Sequence, residues 1–280
     1  MCFEIPPERK APDVSGNFYR HQTMFKFYTI PSEDIIDKLI GEQATIKLSS
    51  AFNLNDPYEL KFNLDLDPLA EGHEEQYYKN NPGSSAEDFK SWQKHALEHD
   101  GYTWYAEQQQ RNAVAQTIAL CSFTENNKNN LMWSHYTNNN KGICVEYKPE
   151  LFEYLKTLKG YVVFWKVNYS DEPPTIKGLE DVNSKVEKIM FNKQSEWKYE
   201  REHRIVFLSD KDTEFIPIDR KYIKSVYIGS RIDREIENKI LSVCNNTEID
   251  IFYGITLGKS YEVHFEKHKD GTFYSKAFWT

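Results

Sequence analysis

Residues 121–147 read CSFTENNKNNLMWSHYTNNNKGICVEY. An apolar strand, Thr117 to Phe123, runs into an Asn-rich turn. The short segment Leu-Met-Trp-Ser-His-Tyr follows, then a polar loop ending at Gly142 and a second strand, Ile143 to Tyr147. Connections between strands are held by a rigid scaffold, and functional side chains concentrate in them. Trp133, Ser134, His135 and Tyr136 are therefore candidates for a site, His135 because imidazole moves protons near neutral pH. The alternative is that Trp133 and Tyr136 fill the core while His135 closes a turn.

Outward from this stretch the pattern is strand-rich. Strands are expected at 161–169, 203–208, 213–218, 224–229, 248–253, 260–266 and 272–278, and helices at 150–158, 181–195 and 232–243. Before it, Phe25 to Ile30 reads as a strand, a helix capped by Ser32 runs to Gly41, and Ala44 to Leu48 is the next strand. Residues 1–20 carry Pro, Gly and charge without apolar period and read as an arm. Residues 60–116 are acidic and helical in period, with Ser85 and Asp88 spaced as a capping box. They read as a helical insertion or lid in a single domain spanning 21–280. The mix predicts an α+β fold on a central, largely antiparallel sheet with flanking helices.

Composition narrows the class. A chain of 280 residues with 39% hydrophobic and 15% aromatic content can build a sizeable core. A net charge of −8 argues against a surface basic all over, though a local basic groove remains open. Cys2, Cys121, Cys144 and Cys244 are scattered, with no zinc-knuckle or disulfide spacing. No export signal and no apolar run of ~20 residues is visible, so a reduced, cytoplasmic protein without a membrane span is expected.

Two further segments carry chemistry. In Trp197-Lys198-Tyr199-Glu200-Arg201-Glu202-His203-Arg204-Ile205, Glu200, Glu202 and Arg204 share one parity and would point the same way from an extended strand. A carboxylate there could hold a sugar hydroxyl and stabilise developing positive charge; a solvated salt-bridge face is the alternative. In Asn55-Asp56-Pro57, Pro57 sets a rigid turn, while Ser50, Asn55 and Asp56 either complete it or line a cleft. His95-Ala96-Leu97-Glu98-His99 matches a zinc-peptidase pattern, but no third ligand is evident. These are expected to be surface histidines, and no metal is expected. Phosphate-binding glycine loops and the Gly-x-Ser-x-Gly elbow are absent.

The Trp133-Ser134-His135-Tyr136 and Lys141-Gly142-Ile143-Cys144 segments resemble the hallmark of the bacterial "domain of unknown function 2971" family. Leu48 to Glu59 resembles its Asn-Asp-Pro motif, and Trp197 to Ile205 its Trp-x-Tyr-Glu-x-Glu-x-Arg motif, with His203 where an aromatic residue is expected. The resemblance spans roughly 25–228. The order of parts is also remotely similar to ADP-ribosyltransferases. That similarity implies a split sheet gripping NAD as substrate. It places Lys26, Tyr28, Ser49 and Ser50 at the cofactor and Glu202 in catalysis; with the motif residues added, the candidate cofactor contacts also include Asn55, Asp56, Trp133 and Arg204, and the candidate catalytic residues Glu200, His135 and Tyr136. Lys26 stands where His or Arg is usual and lacks their planar group. The expected function is NAD-dependent ADP-ribosyl transfer to nucleic acid (RNA or DNA) or protein, in a bacterial toxin or antiviral defence system, with an antitoxin or regulatory protein as partner. Two other readings stand: a nucleic-acid-cleaving toxin using His135 and Glu202, and a non-catalytic binding domain.

Overall fold

The structure is a computed structural model, and it describes residues 22–269 apart from 55, 57, 100, 258 and 259. The chain opens with β1 (Met24–Tyr28), α1 (Asp34–Ile40) and β2 (Thr45–Ser50). β3 (Asn63–Asp65) and the helices α2 (His73–Asn80), α3 (Ala86–Glu98) and α4 (Tyr102–Thr117) follow. Next come β4 (Ile118–Thr124), α5 (Asn130–Tyr136), β5 (Ile143–Tyr147), α6 (Pro149–Lys156) and β6 (Tyr161–Lys166). β7 (Asn168–Ser170), β8 (Thr175–Lys177), α7 (Val182–Met190) and β9 (Asn192–Gln194) lead to β10 (Glu202–Leu208). The chain continues through β11 (Thr213–Pro217), β12 (Ile223–Ile228), α8 (Arg234–Cys244), β13 (Asp250–Ile255) and β14 (His264–Lys267).

Most expected strands and helices are present within a few residues. The expected arm and the strand at 272–278 lie outside the described residues. Ser32 is not the cap of α1; that position is Glu33, whose side chain makes no capping bond. The Ser85–Asp88 capping box is formed in both directions. The Leu-Met-Trp-Ser-His-Tyr segment is a helix, α5, because Asn129 accepts hydrogen bonds from the N–H groups of Leu131 and Met132. Asn138, Asn139 and Asn140 all take positive φ (49°, 58° and 66°). Asn tolerates that region better than other side-chain-bearing residues, which accounts for the run of three after α5.

A large, mostly antiparallel sheet runs β11-β2-β4-β1-β5-β12-β13-β14, with β10 on β4 and β6 on β10. Its central feature is a fork. One edge of β4 is covered by β10 over its whole length. The other edge holds β2 at Leu120 and Ala119, and β1 at Thr124 alone. β2 leaves with β11, and β1 leaves with β5. Between them, Lys26 Nζ donates to the Ser122 carbonyl across the opening (3.1 Å).

Apolar residues pack on both faces. One cluster joins Met24, Ile46, Leu48, Phe123, Val145 and Ile205 to α1, α6 and α8. The other joins Leu120 and Val206 to Leu60, Phe62, Leu64, Val114 and Ala115. The residues at both ends of the 60–116 segment are therefore core residues. Its middle is a satellite of rings, among them Tyr77, Phe89, Trp92 and Tyr102.

Candidate active site

At the fork lies a cavity of about 160 Å³, lined by strand residues such as Phe25, Phe27, Ser122 and Thr124 and by Glu59, Tyr136, Lys193, Glu200 and Glu202. Each charged group arrives by a different route. Glu202 and Arg204 project from alternate positions of β10 onto the face that carries Leu120 and Val206. His203, between them, points to the opposite face. There its ring meets Phe164 (centroids 5.9 Å apart) and Nε2 lies 3.3 Å from Glu125 Oε1. It fills the place of the aromatic residue expected at that position.

Glu200 is not on the strand but at the end of a short 3-10 turn, Ser195–Glu200. Arg201 links it to β10 in the left-handed conformation (φ 45°, ψ 49°). Such a conformation costs a non-glycine residue on the order of 1–3 kcal/mol. The kink brings both carboxylates to one ammonium: Lys193 Nζ lies 2.7 Å from Glu200 Oε2 and 3.3 Å from Glu202 Oε2. Glu59 completes the cluster, 3.2 Å from Lys193 and 2.8 Å from Arg204. When all five groups are ionised, three carboxylates face two cations, leaving one negative charge in excess.

The two neighbouring glutamates are tuned in opposite directions. Burial raises Glu202, but Arg204 and Lys193 outweigh it and hold its carboxyl at about 2. Burial also raises Glu200, and there the Glu202 charge adds to burial against Lys193, so its carboxyl lies above the usual range. Burial would lower Lys193 and Arg204; the surrounding carboxylates hold both above their ordinary values. The hydrogen bonds differ as well. Glu202 Oε1 accepts from Ser122 Oγ (2.5 Å) and Arg204 Nε (2.7 Å), and Oε2 accepts from Arg204 Nη2 (3.0 Å) and Lys193 Nζ (3.3 Å). Glu200 accepts from the Tyr136 hydroxyl and from Lys193 Nζ.

Of the residues singled out from sequence, Lys26, Tyr136, Glu200 and Glu202 line the cavity. Arg204 lies beneath Glu202, fully buried, and also bonds the Met190 carbonyl (2.8 Å). The structure places the remaining ones elsewhere. Trp133 is a core residue, with no exposed surface and its indole N–H donating to the Asn127 carbonyl (2.6 Å). This follows from α5 geometry, since Trp133 and Tyr136 lie three residues apart at different depths of the same helix. Tyr28 turns to the opposite sheet face and bonds Tyr147 (2.8 Å). Ser50 caps the next turn and bonds the Ala115 carbonyl, and Ser49 pairs within the sheet. Asp56 accepts from the Tyr58 N–H (2.8 Å), a turn role, and Asn55 lies outside the described residues. His135 is exposed, beside Trp197 and Tyr199, and does not line the cavity.

Sequence reasoning missed Lys193, Ser122 and Thr124, and used Glu59 only as the end of a motif. Nothing local marks Lys193 as buried; the one available signal is its place just before the Trp197–Arg204 motif. His95 on α3 and His99 just after it are exposed neighbours, and no cluster of three or more His, Cys, Asp or Glu suited to a metal occurs among the described residues. No helix among them is long and apolar enough to cross a membrane.

No curated protein and no solved structure matches this chain. Residues 132–205 match the family model described as "Protein of unknown function (DUF2971)". The match runs from α5 to β10 and so contains Tyr136, Lys193, Glu200, Glu202 and Arg204.

Proposed function

We propose that this chain, whose residues 132–205 match the DUF2971 family model, is an NAD-consuming ADP-ribosyltransferase acting on nucleic acid or protein. The observation that carries the reading is the pair Glu200 and Glu202, pushed apart in acidity at the fork of a split sheet. Two carboxylates of different acidity beside one cavity are the usual equipment of glycosyl chemistry. Breaking an N-glycosidic bond develops positive charge on the sugar, and the one excess negative charge of the cluster favours it. Phe25, Phe27 and Tyr136 supply walls for a flat ring. The cavity volume of about 160 Å³ is below the roughly 300–1,000 Å³ that encloses a whole ligand. It suits the reacting ring and sugar, with the rest of the dinucleotide outside.

A role in bacterial defence or as a toxin, with an antitoxin or regulatory partner, is the biological setting we attach to this chemistry. The buried free thiols of Cys121, Cys144 and Cys244 agree with a reducing, cytoplasmic location. The nuclease reading loses ground because His135 is off the cavity and Glu202 is fully engaged. The binding-domain reading treats the ion cluster as structure only.

Incubating the protein with NAD labelled on the adenylate, together with total RNA, DNA or protein, separates these readings. Label transferred to one class of acceptor, with nicotinamide released, is the expected result. Neither transfer nor nicotinamide release in any mixture sinks the transferase reading. Acceptor strand cleavage without NAD restores the nuclease.

A further inference from the structure

Glu202 stands at the centre of the cluster, yet its carboxylate has nothing left to offer a substrate. A carboxylate accepts about four hydrogen bonds, two per oxygen. Glu202 has four: Ser122 Oγ and Arg204 Nε on Oε1, Arg204 Nη2 and Lys193 Nζ on Oε2. A sugar hydroxyl or an incoming nucleophile could reach it only by displacing a buried donor, which would then be left unsatisfied. Glu200 is different. It lines the same cavity, and the Tyr136 hydroxyl and Lys193 Nζ take one position on each oxygen. One acceptor position per oxygen remains. Its backbone is fixed as well, because Thr124 Oγ1 donates to the Glu200 carbonyl (2.5 Å).

We propose that Glu200, held by Tyr136, is the catalytic carboxylate that exchanges the proton, and that Glu202 is a positioning residue that fixes Lys193 and Arg204 around it. This rests on the transferase reading for its substrate. In the transfer step the bond from C1′ of the ribose to the nicotinamide nitrogen breaks. Its electron pair goes to the cationic ring, which leaves neutral. The acceptor's O–H or N–H forms the new bond to C1′, and its proton passes to a Glu200 oxygen. A base needs an acidity near the working pH, and the raised carboxyl of Glu200 is nearer to it than that of Glu202. Tyr136 sets the poise: its donated hydrogen bond favours the ionised carboxylate.

Two measurements test this on the full chain. The first is 13C NMR titration of glutamate-labelled protein. The carboxyl that titrates above the ordinary Glu range is expected to vanish in Glu200→Gln and to move to higher pH in Tyr136→Phe. Its loss in Glu202→Gln instead overturns the assignment. The second is the pH profile of NAD turnover. Glu200→Gln is expected to lose on the order of 10²-fold or more and with it the acid limb. Tyr136→Phe moves that limb upward. Glu202→Gln lowers turnover but keeps the limb. An acid limb that survives in Glu200→Gln overturns the proposal. If the wild-type chain consumes no NAD while the titration assigns the high carboxyl to Glu200, the transferase reading fails and the division of roles stands. Should Glu202→Gln not fold, the other two variants still decide between the glutamates.

Discussion

Phe25 pairs with Thr124, and this is the single register pair that joins β1 to β4 among the described residues. Beyond it the two strands part, and the cavity fills the opening. Thr124 also holds the Glu200 segment, since its hydroxyl donates to the Glu200 carbonyl and accepts from the Asn126 N–H (3.1 Å). Thr124→Val keeps the shape and removes both bonds. Leaving a buried carbonyl unpaired costs about 1–3 kcal/mol. A lower thermal midpoint is expected, with reduced turnover beyond what partial unfolding explains. An unchanged midpoint would show that water replaces the hydroxyl.

Lys193 is the shared counter-ion of Glu59, Glu200 and Glu202. Lys193→Met leaves three carboxylates with one guanidinium. Removing one partner from a buried charge cluster costs about 3–5 kcal/mol. The loss should be largest near neutral pH and narrow as pH falls, because protonating the carboxylates removes their repulsion. Chemical denaturation at several pH values measures it. A deficit independent of pH would mean that the amine contributes by packing alone.

Acid should unfold the protein through Glu202. Burial works against its ionised form, but Arg204 and Lys193 hold its native carboxyl at about 2, whereas an unfolded glutamate titrates near about 4.3. The native value is the lower one. The stabilisation is therefore present above about pH 4.3 and is lost as pH falls toward about 2. Near-ultraviolet circular dichroism should show a transition in this window for the wild type. In Glu202→Gln the transition should be shallower. An identical transition in both would move the acid-sensitive group elsewhere.

Gly142 has no room for a side chain. An added Cβ would lie 2.1 Å from the Tyr28 carbonyl oxygen and 2.9 Å from Thr137 Cβ. The glycine carbonyl also accepts from the Gly229 N–H (3.0 Å), so the backbone cannot simply withdraw. Gly142→Ala should cost about 1–3 kcal/mol by overpacking, and push β1 from β5 at the end remote from the fork. Thermal melting checks the first effect. Full stability in the variant would show that the loop from Thr137 can move aside.

Deleting residues 60–116 should abolish folding. The cut removes Leu60, Phe62, Leu64, Val114 and Ala115 from contact with Leu120 and Val206. It also removes β3, the partner of β8. An unfolded or aggregated product by circular dichroism and gel filtration is expected. A folded, soluble product would make the whole segment a lid on an independent sheet.

The positions of most elements were legible from the sequence because their signals are local. Short apolar runs marked β4, β5, β10 and β12, and Ser85 with Asp88 marked the start of α3. The parity of Glu202 and Arg204 placed both on one face of β10 before any fold was known. For Glu200 the same argument reached the right neighbour by the wrong route. The sequence suggested an extended strand, but a 3-10 turn and a left-handed Arg201 deliver its carboxylate instead.

The tertiary structure decided the rest. Lys193 and Glu59 are 134 residues apart in the chain and 3.2 Å apart in space. No local period records such a pairing, and a lysine or glutamate read alone defaults to a solvated surface. Trp133 and Tyr136 were equivalent as aromatic residues on one short segment. The turn set by Asn129 sent the first into the core and the second to Glu200. The sequence by itself determined which segments become strands and helices, because hydrogen bonding and apolar burial along a segment depend on its own residues. Which charges meet was decided by the fork at Phe25 and Thr124, because buried ions are stabilised only by partners that chain closure brings within a few ångströms.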